Sequence, residues 1–266
     1  MNKLGIFVNF WEKKWAVDHR YYIDKVKSLG YDILEFQAQP LLEMSDGECR
    51  KIRKYAEERG IELSYSLGLN KKYDVASGDE EVRKGGVEYL KRIVEKIAVM
   101  EGELFSGVTF AGWGLPDHFV DEAEKRALFE RSAESMREVM KTAEKEGVTV
   151  CVEAVNRFES PLINTAEEAL RYADMVDSPN IGIHLDTYHM NIEENSIGEA
   201  IRKAGKRLRH FHTGENNRNI PGRGHIDWDE VFGALKEIGY ERNIVSEPFL
   251  ICLLYTSPSP RDGLLS

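Results

Sequence analysis

LRHFHTGENNRNIPGRGHIDW, residues 208–228, is the stretch on which the fold turns. It opens as a short buried strand in which His210 and His212 alternate with Leu208 and Phe211. Gly214, Pro221, Gly222 and Gly224 then break it into a polar loop that carries Glu215 and Arg218. Asp227 stands where an N-cap belongs, and Glu230 three residues on predicts a capping box. A histidine thus sits at the C-terminal end of a strand, ahead of a polar βα loop. In a β/α barrel that is the end at which chemistry is done.

Outward from this stretch the chain alternates between apolar runs of strand length and amphipathic runs of helical period. The strand candidates are Leu4–Asn9, Asp32–Phe36, Ile61–Ser66, Leu104–Phe110, Val148–Glu153, Ile181–Asp186, Leu208–His212 and Asn243–Glu247. Helical patterns over Asp18–Leu29, Asp46–Arg59, Glu80–Met100, Glu122–Lys145, Ala166–Val176, Ile197–Ala204 and Trp228–Ile238 separate them. Gly30, Gly60, Gly147, Gly205 and Gly239 follow helical runs where a C-terminal cap belongs. Strict alternation of this kind predicts an α/β protein, a (β/α)8 TIM barrel. A doubly wound sheet would want a Gly-rich phosphate turn after the first strand, and Asn9-Phe10-Trp11-Glu12 is not one.

The 266 residues suit one barrel, which typically needs about 250. No linker or internal repeat divides them, and a single domain over residues 1–250 is expected. A net charge of −10 argues against a nucleic-acid surface, which concentrates Lys and Arg. No apolar run reaches the roughly 18 residues of a membrane span. Met1-Asn2-Lys3 leads straight into the first strand, so no signal peptide is expected. Cys49, Cys151 and Cys252 are scattered without CxxC spacing, as expected of reduced thiols in a cytoplasmic protein.

Four strand ends carry metal-type ligands: Glu153 on strand 5, Asp186 on strand 6, His212 on strand 7 and Glu247 on strand 8. Successive ligands are separated by about one βα unit, so the four converge on one side of the barrel mouth. Three carboxylates and one imidazole make an oxygen-rich site suited to Mn²⁺, Co²⁺ or Mg²⁺ rather than to structural zinc. Carboxylates facing one another repel unless a cation sits among them. Glu159, His189 and Arg218 follow these ligands within a few residues, and Phe7, Trp15, Trp113 and Phe249 mark other strand ends. Apolar walls with a few convergent polar groups describe a small-molecule pocket.

NRFE at 156–159, LINTAEEA at 162–169, LDTYHMNIEE at 185–194, HTGENNR at 212–218 and PGRG at 221–224 resemble the D-tagatose 3-epimerase and D-psicose (allulose) 3-epimerase family, one branch of the xylose-isomerase-like barrels. The likeness runs from GIFVNFWEKKW near the start to EPF at 247–249. It implies one divalent ion, Mn²⁺ or Co²⁺, held by Glu153, Asp186, His212 and Glu247. It implies that Glu159, His189 and Arg218 bind the O1–O3 end of a ketose, and that the protein is a homodimer or homotetramer. The implied reaction inverts C3 of a free ketohexose through an enediolate. Strands 5 and 8 stand three apart in an eight-strand ring, so Glu153 and Glu247 look across the pore at one another. That suits one carboxylate taking the C3 proton while the other delivers one. Phe7, Trp15, Ser66, Leu67, Trp113 and Phe249 would then meet the O4–O6 end loosely.

The nearest rivals are an aldose–ketose isomerase or a sugar-phosphate epimerase of the same barrel class. A phosphate would want an additional basic or Gly-rich cradle at the mouth, and the sequence offers no clear one. The endonuclease branch would carry more than the seven histidines here and a basic face. A non-catalytic sugar-binding protein would not need two opposed glutamates.

Beyond Leu250 the pattern departs from the family. CLLYTSPSPRD, residues 252–262, is what a transposase-type sequencing adapter encodes when read in frame. Residues 251–266 are therefore expected to be a non-native tail. The barrel is expected to be truncated after strand 8, without the helix that should follow it.

Overall fold

The computed structural model describes residues 2–249, so the expectations for the tail and the final helix lie outside the described residues. Eight parallel strands form a closed barrel in chain order. They are β1 (Leu4–Phe7), β2 (Ile33–Gln37), β3 (Glu62–Gly68), β4 (Leu104–Val108), β5 (Thr149–Ala154), β6 (Ile181–Asp186), β7 (Leu208–Thr213) and β8 (Ile244–Ser246). The ring shuts where β1 pairs with β8, Leu4 against Ile244 and Ile6 against Ser246. Both faces of such a sheet are covered, which is why ILEFQ of β2 and IGIHLD of β6 are buried at every residue.

The outer layer comprises α1 (His19–Ser28), α2 (Asp46–Glu57), α3 (Glu80–Val99), α4 (Glu122–Glu146), α5 (Ala166–Val176), α6 (Thr187–Glu193), α7 (Ile197–Ala204) and α8 (Trp228–Glu237). Side-chain caps start them: Asp18, Asp79, Asp121, Thr165, Ser196 and Asp227 each accept a first-turn N–H. Ser45 and Glu48 form a complete capping box on α2. Gly147 ends α4 at φ 72°, a left-handed conformation that costs glycine nothing. The main core lies between sheet and helices, with Ile23, Leu34, Phe36, Ile93, Met136 and Phe211 among its buried members.

Three local expectations change. The first strand stops at Phe7, and Val8–Phe10 form a 3-10 turn. The capping box at Asp227 is half made: Asp227 accepts the Glu230 N–H, but the Glu230 carboxylate accepts from Ser196 Oγ at 2.6 Å and Gly198 N at 2.9 Å. Helix α6 is an addition. It begins directly after Asp186, whose Oδ1 accepts the Tyr188 N–H at 3.0 Å.

Candidate active site

Parallel pairing sets the level of each inward side chain. Glu153 is in register with His184, His184 with His210, and Asp186 with His212. Glu247 lies one residue past β8, and its N–H extends the ladder to the Thr213 carbonyl at 3.0 Å. Glu153, Asp186, His212 and Glu247 each bring one donor atom within 4.8 Å of the other three, and all four are buried. Donors about 2.1 Å from a six-coordinate cation lie about 3 Å apart when adjacent and about 4 Å when opposite, so the spacing fits one ion. Glu153 Oε1 and His212 Nδ1 are buried with no hydrogen-bond partner among the described residues. Two orphaned donors beside two further carboxylates are the chemistry a divalent cation satisfies.

Arg218 reaches into the same cluster. Its Nη1 donates to Asp186 Oδ2 at 2.8 Å and to Glu247 Oε2 at 2.7 Å, and its Nη2 lies 3.0 Å from His189 Nε2. The guanidinium sits over the rings of Tyr188 and Phe249. His189 Nδ1 accepts the Asn156 backbone N–H at 3.1 Å, and the Asn156 amide donates to Glu159 Oε1 at 2.9 Å. Glu159 Oε2 in turn accepts the Trp113 indole N–H at 3.1 Å.

Glu153, Glu159, His189, Arg218 and Glu247 line one cavity of about 450 Å³, its open mouth included, walled further by Trp15, Gln37, Ser66, Leu67, Trp113 and Phe249. Trp113 is 40% exposed at the mouth and packs edge-on to Trp15. Gly68 lets it lie there, because a Cβ at that position would stand 2.7 Å from the indole. Of the expected pocket residues, Phe7 is the exception. It is wholly buried with Ile33 and Val245, behind Phe249, and does not line the cavity. With β1 ending at Phe7, its ring falls one layer below the mouth. A more open hollow between α1 and α2, lined by His19, Met44 and Ile52, holds none of these groups.

Beneath the cluster lies a polar layer that the reading of strand ends missed. Glu35, Ser64, His184 and His210 are all buried inside the barrel. Glu35 faces both His210 Nε2 at 2.8 Å and His212 Nε2 at 2.7 Å, and it accepts from Ser64 Oγ at 2.8 Å. His184 packs edge-on against both histidines of β7. The signal was in the alternation: a strand's side chains repeat by twos, so His184 shares a face with Asp186 and His210 with His212.

Burial and neighbours push the carboxylates apart in acidity. Burial, and then the charge of Glu247, holds the Glu153 carboxyl well above the usual range. Burial also pushes Asp186 up to about 6, against the pull of Arg218. Burial acts on Glu247 in the same direction, but His212 and Arg218 outweigh it and leave this carboxyl below its ordinary value. His189 is held neutral by burial and by the Arg218 cation.

Known proteins carry the same architecture. The family model described as xylose isomerase-like TIM barrel matches residues 23–261. D-psicose 3-epimerase of Ruminiclostridium cellulolyticum is 43% identical over 93% of this chain and 84% of its own. A ketose 3-epimerase of Arthrobacter globiformis is 36% identical over 86% of this chain and 77% of its own. The crystal structure of D-psicose 3-epimerase with D-tagatose from Clostridium cellulolyticum H10 superposes with a TM-score of 0.90 at 42% identity, over 93% of this chain and 85% of that one. On a closed eight-strand barrel that gathers three carboxylates, a histidine and an arginine at one cavity, the chain belongs to the xylose isomerase-like TIM barrels and, within them, to the D-psicose and ketose 3-epimerase family, and it is an enzyme of the isomerase class.

Proposed function

We propose that this protein is a metal-dependent ketose 3-epimerase acting on free ketohexoses, D-fructose to D-psicose (D-allulose) or D-tagatose to D-sorbose. The observation that carries the reading is a pair of buried carboxylates, Glu153 on β5 and Glu247 just past β8, three strands apart around one cavity. Inversion at C3 needs a proton carrier on each face of the carbon, and these two supply them. One glutamate removes the C3 proton, which the neighbouring C2 carbonyl acidifies. The other returns a proton to the opposite face of the enediolate. Asp186 and His212 complete the ligand set with the two glutamates for one Mn²⁺ or Co²⁺, with Mg²⁺ as an alternative. When bound, the ion supplies Lewis-acid stabilisation of the negative charge that develops on the substrate oxygens.

Arg218, His189 and Glu159 hold the O1–O3 end; Arg218 meets His189 directly and Asn156 ties His189 to Glu159, which fixes the three before substrate arrives. Trp15, Trp113 and Phe249 face the O4–O6 end with apolar surface. No phosphate-binding cradle lines the cavity among the described residues, which favours a free sugar over a sugar phosphate. Cys49 and Cys151 are free and buried, in keeping with a cytoplasmic enzyme. A homodimer or homotetramer is the assembly we expect, checked by light scattering after gel filtration.

The test is D-fructose incubated with enzyme and Mn²⁺, before and after EDTA, with sugars resolved by chromatography. D-psicose forming with metal and ceasing with EDTA is the expected result. Absence of product from D-fructose, D-tagatose and L-ribulose, with folded Mn²⁺-loaded protein, refutes the reading.

A further inference from the structure

We propose that Glu35 is a positioning residue for the metal centre, holding the His212 imidazole so that Nδ1 rather than Nε2 is presented among Glu153, Asp186 and Glu247. The proposal rests on the metal reading above and extends it to a residue that does not line the cavity.

Glu35 stands in β2, across the barrel from β7, and no part of it is exposed. Its two oxygens are differently engaged. Oε2 accepts from Ser64 Oγ at 2.8 Å and faces His210 Nε2 at 2.8 Å. Oε1 faces His212 Nε2 at 2.7 Å. Two partners on Oε2 fix the plane of the carboxylate and leave Oε1 aimed at His212. On the far side of the His212 ring, Nδ1 lies 3.5 Å from Glu247 Oε2 and has no hydrogen-bond partner among the described residues. An imidazole that ligates a cation must offer an unprotonated nitrogen, and the acceptor on its other nitrogen selects which one. Two groups meet His212 Nε2, Glu35 Oε1 at 2.7 Å and His210 Nε2 at 3.0 Å, and the nearer one, a carboxylate that can only accept, is that acceptor. The His184 ring packs edge-on against His212 with centroids 4.0 Å apart, and Phe7 flanks it at 6.4 Å, so packing sets the tilt that Glu35 locks. Phe7 thus acts behind the ligand shell rather than at the sugar.

Glu35→Gln in the full chain keeps the size of the side chain and replaces one acceptor oxygen with an NH₂ group. Metal-free parent and variant are titrated with Mn²⁺, following free Mn²⁺ by electron paramagnetic resonance. The variant's Kd should weaken roughly 10–100-fold, while kcat at saturating Mn²⁺ stays within several-fold of the parent. In ¹⁵N-labelled, Mg²⁺-loaded parent, His212 should carry its proton on Nε2. A variant Kd equal to the parent's, or a His212 protonated on Nδ1 in the Mg²⁺-loaded parent, overturns the proposal. If Glu35→Gln does not fold, Ser64→Ala decides. It frees the carboxylate from one tie without unpairing a charge, and it should weaken Mn²⁺ several-fold, whereas an unchanged Kd overturns the proposal. The same parent preparation is assayed on ketoses. Metal binding that depends on Glu35 without epimerisation supports the positioning role and refutes the ketose reading. A parent that binds neither Mn²⁺ nor Mg²⁺ overturns the positioning role.

Discussion

Glu153 and Glu247 differ in surroundings although both are buried carboxylates in one cavity. Glu247 accepts a charge-assisted hydrogen bond from Arg218, whereas Glu153 Oε1 has no partner among the described residues. Glu153→Gln or Glu247→Gln should each abolish turnover, by more than about a thousandfold, while leaving some Mn²⁺ bound through the other ligands. Appreciable epimerisation by either variant would remove it from the proton relay. The acidities make a second prediction. Raised carboxyl pKa values mean that Glu153 and Asp186 keep protons to higher pH than ordinary carboxylates, and Asp186 releases its own only near 6. A cation binds the deprotonated forms, so Mn²⁺ affinity should rise with pH through about 6 and fall about tenfold per pH unit below it for each proton displaced. Calorimetry in buffers of different ionisation enthalpy would report the released protons. An affinity that is flat from about pH 5 to 7 contradicts the assignment.

The loop between β7 and α8 shows how an element without regular structure can hold a reacting group. Glu215 is buried, and its carboxylate accepts from Gly222 N at 2.6 Å, Ile226 N at 3.2 Å and the Trp228 indole at 2.7 Å. The Glu215 carbonyl accepts the Arg218 N–H at 2.9 Å. Arg218 itself sits at φ 59°, a left-handed conformation that costs a non-glycine residue about 1–3 kcal/mol. The loop bears that strain because its ends are tied through Glu215, and the result is a guanidinium aimed into the cavity. Glu215→Ala would leave the buried Ile226 N–H unpaired, at about 1–3 kcal/mol, and would remove the half-buried ties to Gly222 and Trp228 as well. We expect a lower melting temperature and a fall in kcat/KM of at least about tenfold through displacement of Arg218, with Mn²⁺ binding less affected. A variant with parental kcat/KM would show that the loop holds Arg218 without Glu215. Helix α6 does comparable work beside it: by starting directly after β6, it places His189 back over Asp186, whose other oxygen caps the helix.

Across the whole molecule, the four ligands come from strands β5 to β8 or the residue beyond, so a bound cation ties half the ring together. A ligand that binds the native state alone stabilises it by about 2.7 kcal/mol at a hundredfold excess over its Kd. For a domain of this size each kcal/mol shifts the midpoint by about 2–4 °C. Mn²⁺ should therefore raise the melting temperature by about 5–10 °C, and EDTA should reverse it. A melt unmoved by either would show that the cluster does not hold the ion in the folded state.

The βα alternation was readable from the sequence alone because burial on both faces writes continuous apolar runs, and helix periodicity with Asp, Ser and Thr caps separates them. Glu153, Asp186, His212 and Glu247 were readable for the same reason, as polar residues at the ends of apolar strands. The half-made box at Asp227 was not, since Glu230 is claimed by Ser196 and Gly198 from another segment. Nor was the place of Phe7, which depends on where β1 gives way to a 3-10 turn. Glu35 could be seen as a charge in a buried strand, but its two histidine partners lie on β7, 175 or more positions away in the chain. Sequence periodicity assigns a side chain to a face. Only closure of the ring decides which faces meet, and that brought Glu35 onto His212 and Arg218 onto Asp186 and Glu247.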